Sequence, residues 1–301
     1  MSNYQSYLAQ LMMINIIAAL GLNLLTGNCG QISLCHASFM AVGAYISALL
    51  ITRWGLSFAV AIPVGTLAAA VLGAALGFPA RRLSGLYLAL VTLAFLELVQ
   101  IAVEEFPDVT GGVRGLSVPK PEAFGIQIRS DTALYYLALA IAAFAVWTAH
   151  NVATSRFGRA FNAVRQSSYA TQALGIPLGR TKLLAFSLAA GFAGLAGGLQ
   201  AIVVGFIDPT EFGISISLRQ ITFIVVGGLG SVPGSVIGAI LLTGLPELLR
   251  GVQEYSDLVY GSILLAALLF MPQGVTGLLD ALRARAGKWR LRSPKHSELR
   301  P

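Results

Sequence analysis

Five cations and no acid occupy the interval Asn151–Lys182: Arg156, Arg159, Arg165, Arg180 and Lys182. The chemistry open to such a set is charge-based docking, and on a membrane protein it marks the cytoplasmic face, where Lys and Arg are retained while acids hardly influence orientation. Phe157, Phe161 and Val164 recur at i, i+4 and i+7, which predicts a helix with one apolar face. Ser167 and Ser168 are caps for a second short helix that stops at Gly175, with Pro177 just beyond. Two short helices on an inner face form a platform for a cytosolic partner.

Other reactive groups are few. Glu97 is the only acid inside a confident apolar span, and Gln100 and Glu104 follow it on one helical stripe. A carboxylate at membrane depth faces a cavity or finds a partner. It therefore lines a polar vestibule, reaches the outer interface, or pairs with Arg219, which itself could snorkel outward. His36 and Asn23 are placed to bond backbone freed by Gly27 and Gly30, or to touch a ligand. Cys29 and Cys35 have no metal spacing and read as packing residues. No G-x-x-x-x-G-K-[ST] occurs, and the cluster Gly227–Gly234 lacks a following Lys, so no phosphate cradle is expected. No His/Glu metal motif and no G-x-S-x-G elbow appears either. The chain is expected to carry no catalytic residue, metal or cofactor, and to take energy for any uphill transport from a partner or an ion gradient.

The elements that must hold these residues are membrane helices. The 301 residues are 56% hydrophobic and 11% charged with net charge +7, whereas a soluble domain is about a quarter charged. Apolar runs near 7–25, 35–52, 58–79, 86–103, 132–150, 183–205, 214–229, 234–249 and 258–278 approach the roughly 20 residues that cross a bilayer core. The first run has no basic flank of a cleavable signal and is expected to stay as a span. The tail 283–301 is basic; it, the Asn151–Lys182 loop and Arg81-Arg82 are assigned to the cytoplasm. Two cations at 81–82, five in the loop and seven in the tail make 14 of the 20, against 2 of the 13 acids. The 104–131 loop, with Glu104, Glu105, Asp108, Glu122 and Asp131, suits the outer side. Parity then requires 214–249 to cross twice or not at all, turning at Gly227–Gly234 either as two short crossings or as a re-entrant hairpin. The N-terminus is outside unless a segment around Gly27–Ser33 re-enters. Gly194-x-x-x-Gly198 with Gly191 and Ser187, and Ala69, Gly73 and Gly77, offer small-residue faces for close helix packing.

The residues now carry a resemblance. Gly30-Gln31-Ile32-Ser33-Leu34 with His36-Ala37 and Gly43-Ala44-Tyr45, Gly85-Leu86-Tyr87-Leu88-Ala89 with Thr92-Leu93, and Thr110-Gly111-Gly112 with Gly115-Leu116 come first. Ser155-Arg156-Phe157-Gly158-Arg159-Ala160, Arg165 and Ala173-Leu174-Gly175-Ile176 follow. Lys182-Leu183-Leu184-Ala185-Phe186, Ala193-Gly194-Leu195-Ala196-Gly197, Gly227-Gly228-Leu229-Gly230-Ser231, Pro272-Gln273-Gly274 and Gly277-Leu278 complete the order. Over roughly residues 20–280 the chain resembles permeases of the branched-chain amino-acid ABC transporter family, of the LivM type.

That resemblance implies an all-α polytopic membrane protein of about 8–10 transmembrane helices, some short or discontinuous, of the type II-like importer kind. Residues 1–282 would form the permease domain and 283–301 a cytoplasmic tail in a bacterial inner membrane. It implies a second homologous permease, two ATP-binding cassette subunits and a periplasmic or lipid-anchored substrate-binding protein as partners, with lipid around the spans and no nucleic acid. Gly158, Arg159, Arg165, Ala173 and Gly175 would couple to the ATPase. Gln31, His36, Tyr87, Thr92, Glu97, Gly228 and Gly230 are the candidates for the translocation pathway. Three positions depart from the family pattern: Cys35 where Gly is usual, Gln166-Ser167-Ser168 where acids commonly follow Arg165, and Arg114 where a neutral polar residue is common. The expected activity is ATP-driven amino-acid import, with urea or short-amide import as the alternative. A stand-alone secondary transporter fits less well, because paired intramembrane acids for proton coupling are missing.

Overall fold

The structure, a computed structural model, describes residues 3–119, 122–123, 126–127, 131–248, 261–262, 265, 274 and 277. The expected span 258–278, apart from those few residues, and the tail 283–301 lie outside the described residues. Eleven α-helices are described: α1 (Asn3–Leu22), α2 (His36–Trp54), α3 (Phe58–Ala80), α4 (Leu86–Glu105), α5 (Pro107–Thr110), α6 (Asp131–Thr154), α7 (Arg156–Gln166), α8 (Ser168–Ala173), α9 (Leu178–Val204), α10 (Ile214–Gly227) and α11 (Val232–Leu248). Among the described residues six are long and apolar enough to cross a membrane: α1 with the π-helical turn Asn23–Asn28, then α2, α3, α4, α6 and α9. Helices α10 and α11 are shorter and are joined through the Gly227–Gly234 cluster, the turn expected between two short crossings or the arms of a re-entrant hairpin.

Helix ends follow local chemistry. The Ser57 hydroxyl accepts from Ala59 N at 3.4 Å to start α3. Gly55 and Gly205 end α2 and α9 with φ of 63° and 75°, where a Cβ would be strained.

Side-chain ties fix which ends of the helices lie together. Lys182 Nζ donates to Leu83 O at 3.2 Å, and Arg165 donates to Gly27 O. One end of the bundle therefore gathers Asn23–Asn28, the α3–α4 turn, α7, α8, the start of α9 and the 227–234 turn. The other end gathers the start of α1, where Tyr4 donates to Glu247 of α11, and the α2–α3 turn, where Arg53 donates to Asp108 O. Arg81, Arg82, Arg156, Arg159, Arg165, Arg180 and Lys182 sit at the first end with no described acid. Glu104, Glu105, Asp108, Asp208, Glu211 and Glu247 sit at the second. Because α1 runs from the second end to the first, the re-entrant alternative at 27–33 adds no crossing.

Small residues build the centre. A Cβ placed on Gly194 of α9 would stand 2.5 Å from Ala69 Cβ of α3, and one on Gly43 of α2 would stand 2.6 Å from the Gly194 carbonyl carbon. One on Gly197 would meet Met40 backbone at 2.7 Å. Ser187 Oγ donates to Ala70 O at 3.0 Å, closing the same seam. Lipid gives no net apolar drive between helices, so this backbone-to-backbone approach supplies the dispersion that holds α2, α3 and α9 together.

Candidate functional site

Two short helices form where they were expected, α7 over Arg156–Gln166 and α8 over Ser168–Ala173, and together they make up the platform. Ser155 Oγ caps α7 by accepting from Phe157 N at 3.1 Å, and Ser167 Oγ caps α8 by accepting from Ala170 N at 3.2 Å. Gly175 leaves α8 with φ of 75°. One detail is corrected. Gly158, Phe161 and Val164 form the buried face of α7, whereas Phe157 is 41% exposed beside the Arg156 guanidinium. Gly158 is buried because a Cβ there would press on Ala153 backbone carbon at 2.5 Å, so α7 folds tightly onto the end of α6. Arg159 stays on the outer surface, with Nη1 donating to Thr154 O at 3.2 Å. Ala173 is exposed, and near it Tyr169 and Leu174 are 88% and 76% exposed. Large apolar groups bared beside cations suit a surface that another protein covers.

Arg165 turns inward at the root of this platform. Its Nη1 donates to Gly27 O, and a Cβ on Gly230 would stand 3.1 Å from the same nitrogen. Asn28 Nδ2 reaches Asn162 Oδ1 of α7 at 3.4 Å and Gly230 O at 3.5 Å. Asn23 Oδ1 accepts from Gly230 N at 2.8 Å, while its Nδ2 donates to Ser231 O at 3.0 Å. A single polar knot thus ties α7, the π-helical end of α1 and the turn between α10 and α11. This corrects the expectation for Asn23, which bonds the 230–231 backbone rather than backbone freed by Gly27 or Gly30. The intramembrane asparagines were the missed signal: an amide in an apolar run must be satisfied, and Asn23 and Asn28 both reach the backbone of Gly230.

Gly228 and Gly230 hold φ of 124° and 85° in that turn. Gly227 and Gly234 touch: a Cβ on Gly234 would lie 2.9 Å from the Gly227 carbonyl carbon. The turn is therefore tight and placed at the platform end, beside Arg165.

The segment 29–35 leaves the knot and climbs back into the bundle without helix. Gln31 is buried, with Nε2 donating to Cys29 O at 3.3 Å. Leu34 N donates to Thr92 Oγ1 of α4 at 3.0 Å. His36 Nε2 lies 2.8 Å from Ala18 O, so α2 begins roughly 15 Å along α1 from Asn28 at about 1.5 Å per residue. His36 is thus bound to α1 backbone, not to Gly27 or Gly30. Thr92 is buried, but Tyr87 on the same helix is 73% exposed. Both cysteines are buried and free.

Glu97 is exposed on the outward flank of α4, while Arg219 lines a cavity bounded by α1, α9, α10 and α11. That separation removes the structural pairing of the two and leaves Glu97 on an apolar flank that also bares Leu90, Leu98 and Ile101. A carboxylate there requires a neighbour or a watered cleft. Glu97→Gln is expected to leave the thermal midpoint of the purified protein within about 1 °C, since no buried ion pair is broken, and to lower transport severalfold. A stability loss with normal transport would contradict this placement.

Over residues 4–268 the chain matches the family described as branched-chain amino acid transport system, permease component. The high-affinity branched-chain amino acid transport permease LivM of Escherichia coli is 37% identical over 89% of this chain and 69% of its own length. LivH of Salmonella typhimurium is 27% identical over 87% of this chain and 90% of its own. The autoinducer 2 import permease LsrC of Escherichia coli is 31% identical over 54% of this chain and 49% of its own. No solved structure matches. A bundle of long apolar helices carrying a small-residue seam is what a multi-pass permease needs, and a match over nearly the whole described bundle leaves no large part of it unaccounted for: the chain belongs to the branched-chain amino-acid transport permease family, whose members are transport components of membrane systems rather than enzymes.

Proposed function

We propose that this chain is one permease of an ATP-driven importer for branched-chain amino acids in a bacterial inner membrane. Its partners are a second, homologous permease, two ATP-binding cassette subunits and a periplasmic or lipid-anchored substrate-binding protein. The observation that carries the reading is the 37% identity to LivM across 89% of the chain. The platform supports it. Its cations mark the cytoplasmic end, and its bare Tyr169 and Leu174 are an apolar seat for an ATPase groove. Gly158, Arg159, Ala173 and Gly175 shape that seat, and Arg165 passes its movement to the Gly228–Gly230 turn through Gly27. Gln31, His36 and Thr92 then hold the climbing segment at the inner wall of the pathway, and Tyr87 and Glu97 face the second permease across it. The tail 283–301 belongs to the cytoplasmic side on the same charge rule.

A second reading is import of a different small polar solute such as urea or a short amide. The likeness to a permease named for autoinducer 2 import supports it only in that one similar protein is named for a solute other than an amino acid. Uptake by the chain reconstituted in proteoliposomes with its two ATPases, second permease and binding protein separates the two. ATP-dependent accumulation of labelled leucine, isoleucine or valine, with no accumulation of urea, is expected; urea uptake without leucine uptake would reverse the order. In the same vesicles, Ser231→Cys with Cys29→Ser and Cys35→Ser should resist an impermeant maleimide added from the binding-protein side. Ready labelling from that side would invert the orientation.

A further inference from the structure

Between α3, α6 and α9 lies a cleft of about 400 Å3, within the roughly 300–1,000 Å3 range of small-molecule sites. Leu67 and Ala70 of α3, Phe144 and Thr148 of α6, and Leu188 and Gly191 of α9 line it, and no charged residue does. Its hydroxyls offer nothing to a polar ligand. Thr148 Oγ1 donates to Phe144 O at 2.8 Å, Ser187 Oγ donates to Ala70 O, and Thr66 Oγ1 is buried beneath the surface. The wall therefore suits hydrocarbon. Helix α4, which is proposed above to face the second permease, lends no residue to it.

The cleft leads to a pair of cations. On α3, Ala70, Ala74 and Arg81 fall within about 40° of one line along the helix, and on α9 Gly191, Leu184 and Arg180 do the same. Arg81 and Arg180 thus end the two stripes that carry the cleft, both at the platform end. They also lie together: a Cβ on Gly179 would stand 3.4 Å from Arg81 Cδ. The Arg81 guanidinium carbon is 3.8 Å from the Phe78 ring centroid, a stacking that leaves the N–H edge of the fork open. No acid is described at this end. At about 1.5 Å per residue the eleven steps from Ala70 to Arg81 are roughly 16 Å, close to half of a hydrocarbon core of about 30 Å.

Two guanidiniums without an acid, half a bilayer away from an apolar cleft on the same stripes, are complementary to a phosphate that carries an acyl chain. Arginine forks pair bidentately with phosphate oxygens, and basic pockets between membrane helices take anionic headgroups. We propose that this cleft binds one anionic phospholipid, with its headgroup phosphate on Arg81 and Arg180 and an acyl chain running past Ala74 and Leu184 into the cleft. The lipid fills the gap between the α3–α9 pair and α6, whose end carries α7. It therefore steadies the platform against the small-residue seam, whichever solute the permease moves.

The test takes the detergent-purified complex of both permeases and both ATPases, stripped of lipid. Its thermal midpoint is read with palmitoyl-oleoyl phosphatidylglycerol, palmitoyl-oleoyl phosphatidylcholine, dihexanoyl phosphatidylglycerol or inorganic phosphate. The long-chain phosphatidylglycerol, at about a hundred times its half-saturating concentration, is expected to raise the midpoint by roughly 2–5 °C, and the other three by less than about 1 °C. Arg81→Gln with Arg180→Gln should lose most of that rise. Arg81→Lys with Arg180→Lys should keep about half, because the charge stays and the fork goes. Both pairs should match the wild type within about 1 °C before lipid is added, since no ion pair is broken. Thr148→Trp, which fills the cleft, should lose the rise with both arginines in place. A phosphatidylglycerol with a diazirine on its acyl chain should label residues 63–70 and 187–195, with competition by unlabelled phosphatidylglycerol and none by phosphatidylcholine. Three results overturn the site. They are an equal rise with phosphatidylcholine, which is ordinary lipid solvation; an equal rise with inorganic phosphate, which needs no tail; and labelling confined to other flanks, as when the second permease covers the cleft. A full rise in the glutamine pair would do the same.

Discussion

Arg165→Glu is expected to abolish transport while leaving the permease in the membrane, and to do so more completely than Arg159→Glu. The reversal removes the donor to Gly27 O and sets a carboxylate against the carbonyl-rich backbone of Gly27 and Gly230. A hydrogen bond from a charged group contributes about 1.5–3 kcal/mol, and an unsatisfied buried carbonyl costs a comparable amount. That loss of roughly ten- to hundredfold falls on the joint between the platform and the α10–α11 turn. Arg159 touches only Thr154 O on the outer surface, so its reversal should weaken ATPase copurification without disturbing the knot. The expected pattern is specific: Arg159→Glu lowers ATPase binding and transport in proportion, whereas Arg165→Glu retains part of the ATPase but stops solute-stimulated hydrolysis. Equal effects in both variants would argue that Arg165 acts only as another surface cation.

Three alanine substitutions along α9 should differ sharply in the stability of the purified protein. Helix propensity alone favours Ala over Gly by about 1 kcal/mol. At Gly191 the added Cβ would meet Ala70 Cβ at 3.5 Å, an ordinary contact, so Gly191→Ala should be neutral or stabilising. At Gly194 the new atom would meet Ala69 Cβ at 2.5 Å, and at Gly197 it would press on the Met40 backbone. Backbone cannot rotate out of the way, so Gly194→Ala and Gly197→Ala should each cost roughly 1–3 kcal/mol or more. Against a total of about 5–15 kcal/mol, that lowers the thermal midpoint in detergent by several degrees. A Gly194→Ala variant as stable as Gly191→Ala would mean that α3 and α9 sit farther apart than described.

Much of this arrangement was legible from residue types. The cap Ser167, the stop at Gly175 and the close faces at Gly194 and Gly73 are local chemistry, and local chemistry is written in neighbouring residues. Charge parity, which needs only a count, limited 214–249 to two crossings or a re-entrant hairpin. What stayed hidden was long-range pairing. Nothing near Asn23 announces that its amide meets Gly230, more than two hundred residues away, because either partner alone is merely a polar group in an apolar run. Phe157 misled for a different reason. Its spacing matched an apolar face, but close approach to α6 handed that face to Gly158, the residue without a side chain. Arg219 and Glu97 looked pairable on composition alone. Their separation depends on which flank of α4 turns away from the bundle, and no short stretch of sequence encodes that.

The seam among α2, α3 and α9 also sets a timetable for making the protein. Its halves are far apart along the chain: α3 ends at Ala80, and α9 is complete only at Val204. At about 5–20 residues per second of synthesis, α2 and α3 wait on the order of ten seconds in the bilayer before the helix they clasp exists. During that interval Gly43, Ala69 and Gly73 present a bare small-residue groove to any neighbouring span, including α4 and α6 as they emerge. Helix α4 carries bulky Leu, Tyr and Phe side chains and α6 adds Trp147 to Leu, Tyr and Phe, and these fit poorly into a groove lined by glycine and alanine. Helix α9, with its glycines at 191, 194, 197 and 198, is the helix that fills the groove once it leaves the ribosome.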